Sequence, residues 1–271
     1  MEEQERRTIP HPRRAQLESF EYLLDILDQL REKCPWDKKQ TYQSLRPNTI
    51  EEVYELNDAL LAEDNEEICK ELGDVLLHVI FYAKIGSESG NFDIKEVCDK
   101  LSDKLVFRHP HIFGDKKAET AADVAASWEE LKLKEKGGNK RVLSGVPDSL
   151  PSLIKSFRIQ EKARNIGFDW EHKEQVWDKV KEEYTELKDE LIKDANHERI
   201  EDEYGDLLFS LVNAGRLYNI NPDTALEKAN KRFIRRFNYM EDHTLKEGID
   251  LKSLPMKEKD KIWDQAKKEG L

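Results

Sequence analysis

Two groups of acidic residues recur in the same order along this sequence. In the first half, Glu51, Glu52 and Glu55 are followed by Glu71 and Asp74. The corresponding acids of the second half are Glu182, Glu183, Glu186, Glu203 and Asp206. The first three acids recur 131 residues later and the last two 132 residues later, so one added residue between the segments accounts for the difference. Each copy reads EExxE, a gap and ExGD, which indicates one module used twice.

The spacing of these acids places them on shared helix faces. Residues three apart lie on one face of a helix, so Glu52 and Glu55 project together, as do Glu71 and Asp74. Two such helices packed antiparallel would bring four carboxylates together, which is destabilising unless a cation neutralises them. An all-oxygen ligand set at a phosphate site favours Mg²⁺, with Mn²⁺ as a substitute. We therefore predict a metal cluster in each half. A single EExxE could equally be a solvated helix face, and the repetition argues against that interpretation.

Basic residues and tryptophans recur as well, always as pairs four residues apart. The basic pairs are Lys104 with Arg108 and Arg232 with Arg236. The tryptophan pairs are Trp128 with Lys132 and Trp263 with Lys267. Carboxylates for a metal, cationic donors for phosphate and an aromatic ring for a base form the inventory that a nucleoside triphosphate requires. Core packing of the tryptophans and ordinary surface ion pairing of the basic residues are the alternatives.

The composition limits the partners. The 271 residues carry a formal net charge of -12, so most of the surface would repel a nucleic acid polymer. The three cysteines are widely spaced and offer neither a CxxC pair nor a disulfide framework. No run approaches 18 apolar residues, and neither a Walker A loop nor GxGxxG occurs. We predict a cytoplasmic protein that binds neither a nucleic acid polymer nor a membrane.

Helices must position these side chains. Apolar residues recur at helical rather than alternating spacing, and proline and glycine punctuation, for example Pro47-Asn48, predicts about five helices in each half. A connector containing glycine and proline divides the chain near its middle. We predict an all-α fold with the following organisation: a tail at residues 1–14, a first module at 15–136, a linker at 137–150 and a second module at 151–271.

Together these motifs resemble the MazG family of nucleoside triphosphate pyrophosphohydrolases, in the tandem-domain form. Besides the acids, the motifs that carry the resemblance are Cys34-Pro35-Trp36-Asp37, Phe107-Arg108-His109-Pro110-His111 and Gly167-Phe168-Asp169-Trp170. The resemblance covers nearly the whole chain. It implies a four-helix core in each module, a homodimer, and Mg²⁺-dependent hydrolysis of NTPs and dNTPs to the nucleoside monophosphate and pyrophosphate.

The resemblance also assigns roles to residues. It implies that the acids of each half bind the metal. These ligands are Glu52, Glu55, Glu71 and Asp74 in the first module, and Glu183, Glu186, Glu203 and Asp206 in the second. It implies that the nucleotide is contacted by Arg232, Arg236, Trp263 and Lys267. The second module is expected to carry most of the turnover, and the activity of the first stays open.

The predicted catalytic residues lie in and beside the metal ligands. Glu182 would orient the attacking water next to Glu183 and Glu186, and Glu51 is its counterpart in the first module. Three other functions stay open from the sequence. The protein could be a pyrophosphohydrolase restricted to one nucleotide, such as a damaged dNTP or an alarmone; a non-catalytic nucleotide-binding regulator; or a helical adaptor whose acids only decorate its surface.

Overall fold

The chain folds into α-helices. The computed structural model describes residues 13–114, 120, 124, 131, 141–193 and 196–271, and within these ranges there is no strand and no helix long and apolar enough to cross a membrane. The ten α-helices of this part of the chain are α1 Arg14–Lys33, α2 Tyr42–Ala62, α3 Asn65–Glu88, α4 Ile94–Arg108, α5 Pro110–Phe113, α6 Ser152–Arg164, α7 Val176–Ile192, α8 His197–Leu217, α9 Pro222–Lys246 and α10 Met256–Lys268. The predicted all-α class is confirmed.

The chain divides into two compact units, Met1–Lys117 and Ala118–Leu271. Each unit contributes five of the described helices, as the punctuation of the sequence predicts. The predicted tail lies outside the described residues except for its last two positions. The predicted linker is described from residue 141 onward, and its Val142–Gly145 forms a short 3-10 helix that packs against α6. The module boundaries stay predictions.

The core of the first unit lies among its three long helices. Leu27 of α1 and Leu45 of α2 pack with Ile80 and Phe81 of α3, and all four are buried. Burying each of these side chains is worth about 1.5–3 kcal/mol relative to leaving it in water. This cluster holds α2 and α3 in the arrangement that the acidic motifs require.

A turn of two residues joins α2 to α3. Glu63 adopts the left-handed conformation, with φ of 57°, and ends α2. The side chain of Asp64 then accepts hydrogen bonds from the backbone amides of Glu66 and Glu67 and caps α3. Because the turn is short, the two helices run antiparallel as neighbours. The EExxE segment of α2 therefore faces the ExGD segment of α3.

Pro47 does not end a helix, so the boundary predicted there is wrong. α2 begins at Tyr42 and continues through Pro47 to Ala62. Proline cannot donate a hydrogen bond to the carbonyl four residues earlier, but the loss is confined to one bond close to the start of the helix. Thr41 and Ser44 form a capping box ahead of it, and the packing of α2 on α3 maintains the helix.

The second unit is built around the antiparallel pair α7 and α8. The side chain of Asn196 caps α8 by accepting a hydrogen bond from the amide of Arg199 at 3.0 Å. α6 packs on α8, and α9 packs on α6, α8 and α10. The buried apolar side chains of this unit are Val176, Leu187, Val212, Ala214, Met240 and Ala266.

Candidate metal and nucleotide site

The first unit gathers three of its four predicted metal ligands into one cluster. Glu52 and Glu55 project from α2 and meet Glu71 of α3, with one carboxylate oxygen of each within 4.8 Å of the others. Burial raises the pKa of Glu52, and nearby negative charges, first that of Asp74, raise it further. Asp74 therefore shares the electrostatic environment of the cluster without belonging to the group of three.

Glu71 is the buried member of this cluster, with 3% of its surface exposed. Its Oε1 accepts a hydrogen bond from Lys70 Nζ at 2.8 Å, whereas its Oε2 is buried without a hydrogen-bond partner. A buried carboxylate oxygen is costly unless a donor or a cation meets it. The residues present therefore fit a divalent cation that prefers oxygen ligands.

The second unit forms the corresponding cluster from α7 and α8. Glu183 of α7 meets Glu203 and Asp206 of α8, again with one oxygen of each within 4.8 Å of the others. Partial desolvation raises the pKa of Glu186, and the charges of Glu183 and Glu203 raise it further. In the second unit, the predicted ligand that lies outside the group of three is therefore Glu186. In the first unit, the predicted ligand outside the group is Asp74.

A lysine that the sequence analysis did not single out lies against the second cluster. Lys179 Nζ is 2.6 Å from Glu183 Oε1 and 2.8 Å from Glu182 Oε1. Hydrogen bonds to these two carboxylates raise the pKa of Lys179, so its charge persists at neutral pH. Its spacing of three and four residues from the two glutamates is the signal that could have found it.

The two acids predicted to act beside the metal ligands are both exposed. Glu51 lies on α2 next to Glu52, and its charge contributes to the raised pKa of that carboxyl. Glu182 lies on α7 and accepts the hydrogen bond from Lys179. Both are therefore accessible to water at the edge of a cluster, and their catalytic role stays a prediction.

Two of the four predicted nucleotide contacts of the second unit touch each other. The guanidinium carbon of Arg236, on α9, lies 5.6 Å from the centre of the Trp263 ring, on α10, which is a cation-π contact. Lys267 Nζ lies 3.3 Å from Asp264 Oδ1. Among the described residues, no ion pair joins Arg232, Arg236 or Lys267 to the carboxylate cluster.

The basic pair of the first unit lies on the helix that follows α3. Lys104 and Arg108 are one turn apart on α4, which packs against α3. Lys104 is exposed and Arg108 is half-buried. The other predicted nucleotide contacts of this half, Trp128 and Lys132, lie outside the described residues.

A cavity of about 750 Å³ adjoins the second cluster. Lys179, Glu183 and Asp206 line one part of it, and most of the remaining lining is apolar, with Phe168 and Trp170 among the aromatic side chains. Sites for small molecules usually have volumes of roughly 300–1,000 Å³ and a mostly apolar lining with a few polar groups. Sequence reasoning did not predict this cavity, because its walls come from segments that are distant in the chain.

A buried ion pair fixes one wall of this cavity. The side chain of Arg216 is 4% exposed, and its Nη1 donates a hydrogen bond to Asp169 Oδ2 at 3.0 Å. Burial alone would raise the pKa of Asp169, but hydrogen bonds from Arg216 and from the Trp170 amide, together with the charge of Arg216, lower it. Asp169 belongs to the GFDW motif, and its partner 47 residues later carries no sequence signal.

Comparisons with known proteins relate this site to a family. A family model for the MazG nucleotide pyrophosphohydrolase domain matches residues 40–113. The nucleoside triphosphate pyrophosphohydrolase/pyrophosphatase MazG of Thermotoga maritima is 44% identical over 251 residues, which cover 92% of this chain and 95% of that protein. The nucleoside triphosphate pyrophosphohydrolase of Escherichia coli K12 is 38% identical over 261 residues, covering 94% and 99% of the two chains. The chain belongs to the MazG family.

The regions matched in these comparisons include residues of both units. The MazG model covers α2, α3 and α4 completely, so it contains the first carboxylate cluster and the Lys104–Arg108 pair. The two long relatives extend the similarity over the second unit as well. Protein YabN of Bacillus subtilis is 43% identical over 252 residues, which are 92% of this chain but 51% of that protein. The resemblance to MazG found in the sequence is confirmed.

Proposed function

We propose that this MazG protein hydrolyses nucleoside triphosphates, both NTPs and dNTPs, to the nucleoside monophosphate and pyrophosphate, with Mg²⁺ and mainly in the second unit. One observation carries the proposal: Glu183 and Asp206 belong to the second carboxylate cluster and also line the cavity. A metal held there would meet the phosphates of a ligand in that cavity. The names of the Thermotoga and Escherichia relatives, both nucleoside triphosphate pyrophosphohydrolases, support the reaction class.

The carboxylates of the second unit would hold the metal. Glu183, Glu203 and Asp206 already converge, and Glu186 is one helical turn from Glu183. When bound, Mg²⁺ supplies positive charge that neutralises phosphate oxygens and makes water more acidic. The pKa of Glu186 is raised by partial desolvation and then by the charges of Glu183 and Glu203, and this supports the assignment because a bound cation would offset that crowded negative charge.

Two further residues act at the edge of the cluster. Glu182 is exposed beside Glu183, so its carboxylate can accept a hydrogen bond from the attacking water and orient it. Lys179 stays protonated and lines the cavity, so it supplies a fixed positive charge for the phosphates. Phosphoryl transfer depends mainly on positioning and electrostatics, which these side chains provide.

The remaining nucleotide contacts would come from α9 and α10. We propose that Arg232 and Arg236 neutralise phosphate charge, with Trp263 and Lys267 beside them. The contact between Arg236 and Trp263 supports a common location for these two side chains. Their charge is needed because the carboxylate cluster by itself repels a polyphosphate.

We propose that the first unit binds a metal in the same way and contributes less to turnover. The convergence of Glu52, Glu55 and Glu71 and the unpartnered Oε2 of Glu71 support the metal site. Lys104 and Arg108 would meet the phosphates of a nucleotide there. Glu51 would take the role that we assign to Glu182 in the second unit.

A homodimer is the assembly that we propose. α7 and α8 leave large apolar side chains exposed on the single chain, including Tyr184, Tyr204 and Leu208, which are 57%, 55% and 44% exposed. Apolar surface of this kind is typical of a face that another chain covers. The predicted cytoplasmic location stays a prediction.

Chromatographic analysis of the products tests the function. ATP and the four dNTPs should each give the monophosphate and pyrophosphate in the presence of Mg²⁺, whereas ADP with inorganic phosphate would contradict the proposal.

The double variant Glu183→Gln, Glu203→Gln should lose activity by about a hundredfold or more, since the metal contributes several kcal/mol of charge stabilisation. The matched variant Glu52→Gln, Glu71→Gln should keep most of the activity. The reverse result would place turnover in the first unit.

A further inference from the structure

The lining of the cavity in the second unit includes both charged and apolar side chains. Lys179, Glu183 and Asp206 are the charged side chains that the proposed function already uses. The apolar part of the lining has no assigned part in hydrolysis, and its larger side chains are Leu143, Ile159, Phe168, Trp170 and Phe209. A nucleotide has the same division, because a polyanionic chain is attached to a flat, largely apolar heterocycle. Aromatic side chains stack on such rings irrespective of their identity.

The amide of Gln160, which also lines the cavity, has a fixed orientation. Gln160 lines the cavity with 6% of its surface exposed, and its Nε2 donates a hydrogen bond to the backbone carbonyl of Phe209 at 2.8 Å. Because a carbonyl only accepts, the nitrogen must face Phe209. Oε1 is then the free end of the amide, and it is buried without a hydrogen-bond partner. A buried acceptor in this state is a site for an N–H donor of a ligand.

The amide of Asn213 is fixed in the opposite sense. Its Oδ1 accepts hydrogen bonds from Arg216 Nε at 3.0 Å and from Arg216 Nη2 at 2.8 Å. Arg216 is itself held by Asp169, so the oxygen of Asn213 has to face the guanidinium. Asn213 also lines the cavity, and its Nδ2 makes no hydrogen bond to another described residue. The cavity therefore has one oriented amide acceptor and one oriented amide donor.

We propose that this cavity holds the nucleobase of the substrate, with Gln160 accepting a hydrogen bond from the base and Asn213 donating one to it. This inference rests on the proposed function, since the phosphates then extend to Glu183 and Asp206. Each common nucleobase offers both an N–H donor and an acceptor on its edges. The pair therefore binds bases in general and discriminates against triphosphates that have no base.

A comparison of two substrates on the unmodified protein gives the first test. Pyrophosphate release from ATP is measured beside release from ribose 5-triphosphate, which keeps the sugar and phosphates and lacks the base. We expect kcat/KM for ATP to exceed that for ribose 5-triphosphate by about tenfold to hundredfold, with the difference mainly in KM, because stacking and two hydrogen bonds are lost. Equal values for the two substrates would overturn the inference.

Substitutions at the two amides give the second test. Gln160→Leu removes the acceptor at similar volume, and Asn213→Asp replaces the donor by an acceptor while keeping an oxygen for Arg216. Each should raise KM for ATP about tenfold and change KM for ribose 5-triphosphate less than twofold. Gln29→Leu, the same change on an exposed face of α1, is the matched control and should alter neither value.

The outcomes separate this inference from the proposed function. If the unmodified protein releases pyrophosphate from no triphosphate, the proposed function fails. The unmodified protein could instead hydrolyse both substrates while the Gln160 and Asn213 variants lose the same fraction of activity on ATP and on ribose 5-triphosphate. In that case the two side chains have a structural role and the base binds elsewhere. Circular dichroism shows whether each variant folds. If one variant does not fold, the other variant and the comparison of the two substrates still test the inference.

Discussion

Lys179 Nζ lies 2.6 Å from Oε1 of Glu183, the buried carboxylate of the second cluster. A protonated lysine therefore supplies positive charge at the place where we propose that Mg²⁺ binds. In the metal-free protein this charge offsets part of the repulsion among the clustered acids.

Lys179→Met should destabilise the metal-free protein. The side chain of Lys179 is 39% exposed, so solvent screening limits the expected loss to about 1 kcal/mol or less. Addition of Mg²⁺ should restore most of the lost stability, because the cation replaces the missing charge. Thermal unfolding of the variant and of the unmodified protein, in EDTA and in Mg²⁺, measures the loss and its recovery. The control is Lys261→Met, which removes an exposed lysine 2.8 Å from Glu258 and away from the cluster; an equal response from it would contradict the role given to Lys179.

The stability of the metal-free protein should depend on the pH through Glu52 and Glu186. Both carboxyls have raised pKa values in the folded protein, so the folded state holds their protons more tightly than the unfolded chain. The two groups therefore destabilise the protein above their folded pKa, and stability is regained as the pH falls toward their ordinary value of 4.5.

The double variant Glu52→Gln, Glu186→Gln isolates this contribution. In EDTA at pH 7 it should unfold at a higher temperature than the unmodified protein, because the desolvation cost of the two charged carboxyls and their repulsion by neighbouring acids are both removed. The difference should shrink as the pH is lowered toward 4.5, the ordinary pKa of both groups. Saturating Mg²⁺ should reverse the order, since only the unmodified protein keeps all its ligands. If the difference in unfolding temperature in EDTA stays constant as the pH is lowered, the charges of these two carboxyls are not the cause of that difference.

Asp169→Asn should be strongly destabilising. It leaves the guanidinium of Arg216, 4% exposed, without its carboxylate, and breaking a buried pair from one side costs about 3–5 kcal/mol. Because the pKa of Asp169 is lowered on folding, the stabilisation is present above its ordinary value of 3.8 and is lost as the pH falls through the folded pKa. Urea unfolding checks the loss. Glu258→Gln, which breaks only the exposed pair with Lys261, should cost less than about 0.5 kcal/mol.

Two glycines of α3 should respond oppositely to alanine. A Cβ at Gly86 would lie 2.7 Å from the backbone oxygen of Phe92, so Gly86→Ala should cost about 1–3 kcal/mol. A Cβ at Gly73 meets nothing within 4 Å in the single chain, and Gly73→Ala should gain about 0.5–1 kcal/mol from helix propensity. Chemical denaturation measures both. A destabilising effect at Gly73 would instead indicate that another chain approaches this part of α3.

The parts of the fold and site that the sequence predicts are those that depend on local spacing. Glu52 with Glu55, and Glu203 with Asp206, share a helix face because of the helical repeat alone, and the structure brings members of both pairs together with an acid from the neighbouring helix. These features need no knowledge of tertiary contacts.

The parts that were missed depend on contacts between distant segments. Gln160 meets the carbonyl of Phe209 across 49 residues, and Asp169 meets Arg216 across 47, and neither partner has a spacing that links it to the other. The cavity forms only when these segments pack together, so a linear pattern does not contain it. The error at Pro47 has a different cause, since tertiary packing overrides a local helix breaker.

The short turn between α2 and α3 constrains how the length of this protein can change. Within a helix, one inserted residue rotates everything beyond it by about 100°, which would turn Asp74 away from Glu71 if it fell between them. An insertion in the connection at residues 63–64, or between α7 and α8 in the second unit, changes neither the spacing within EExxE nor the spacing within ExGD. Gaps in an alignment of relatives should therefore gather at these two connections, and the single-residue difference between the two halves has its natural place there.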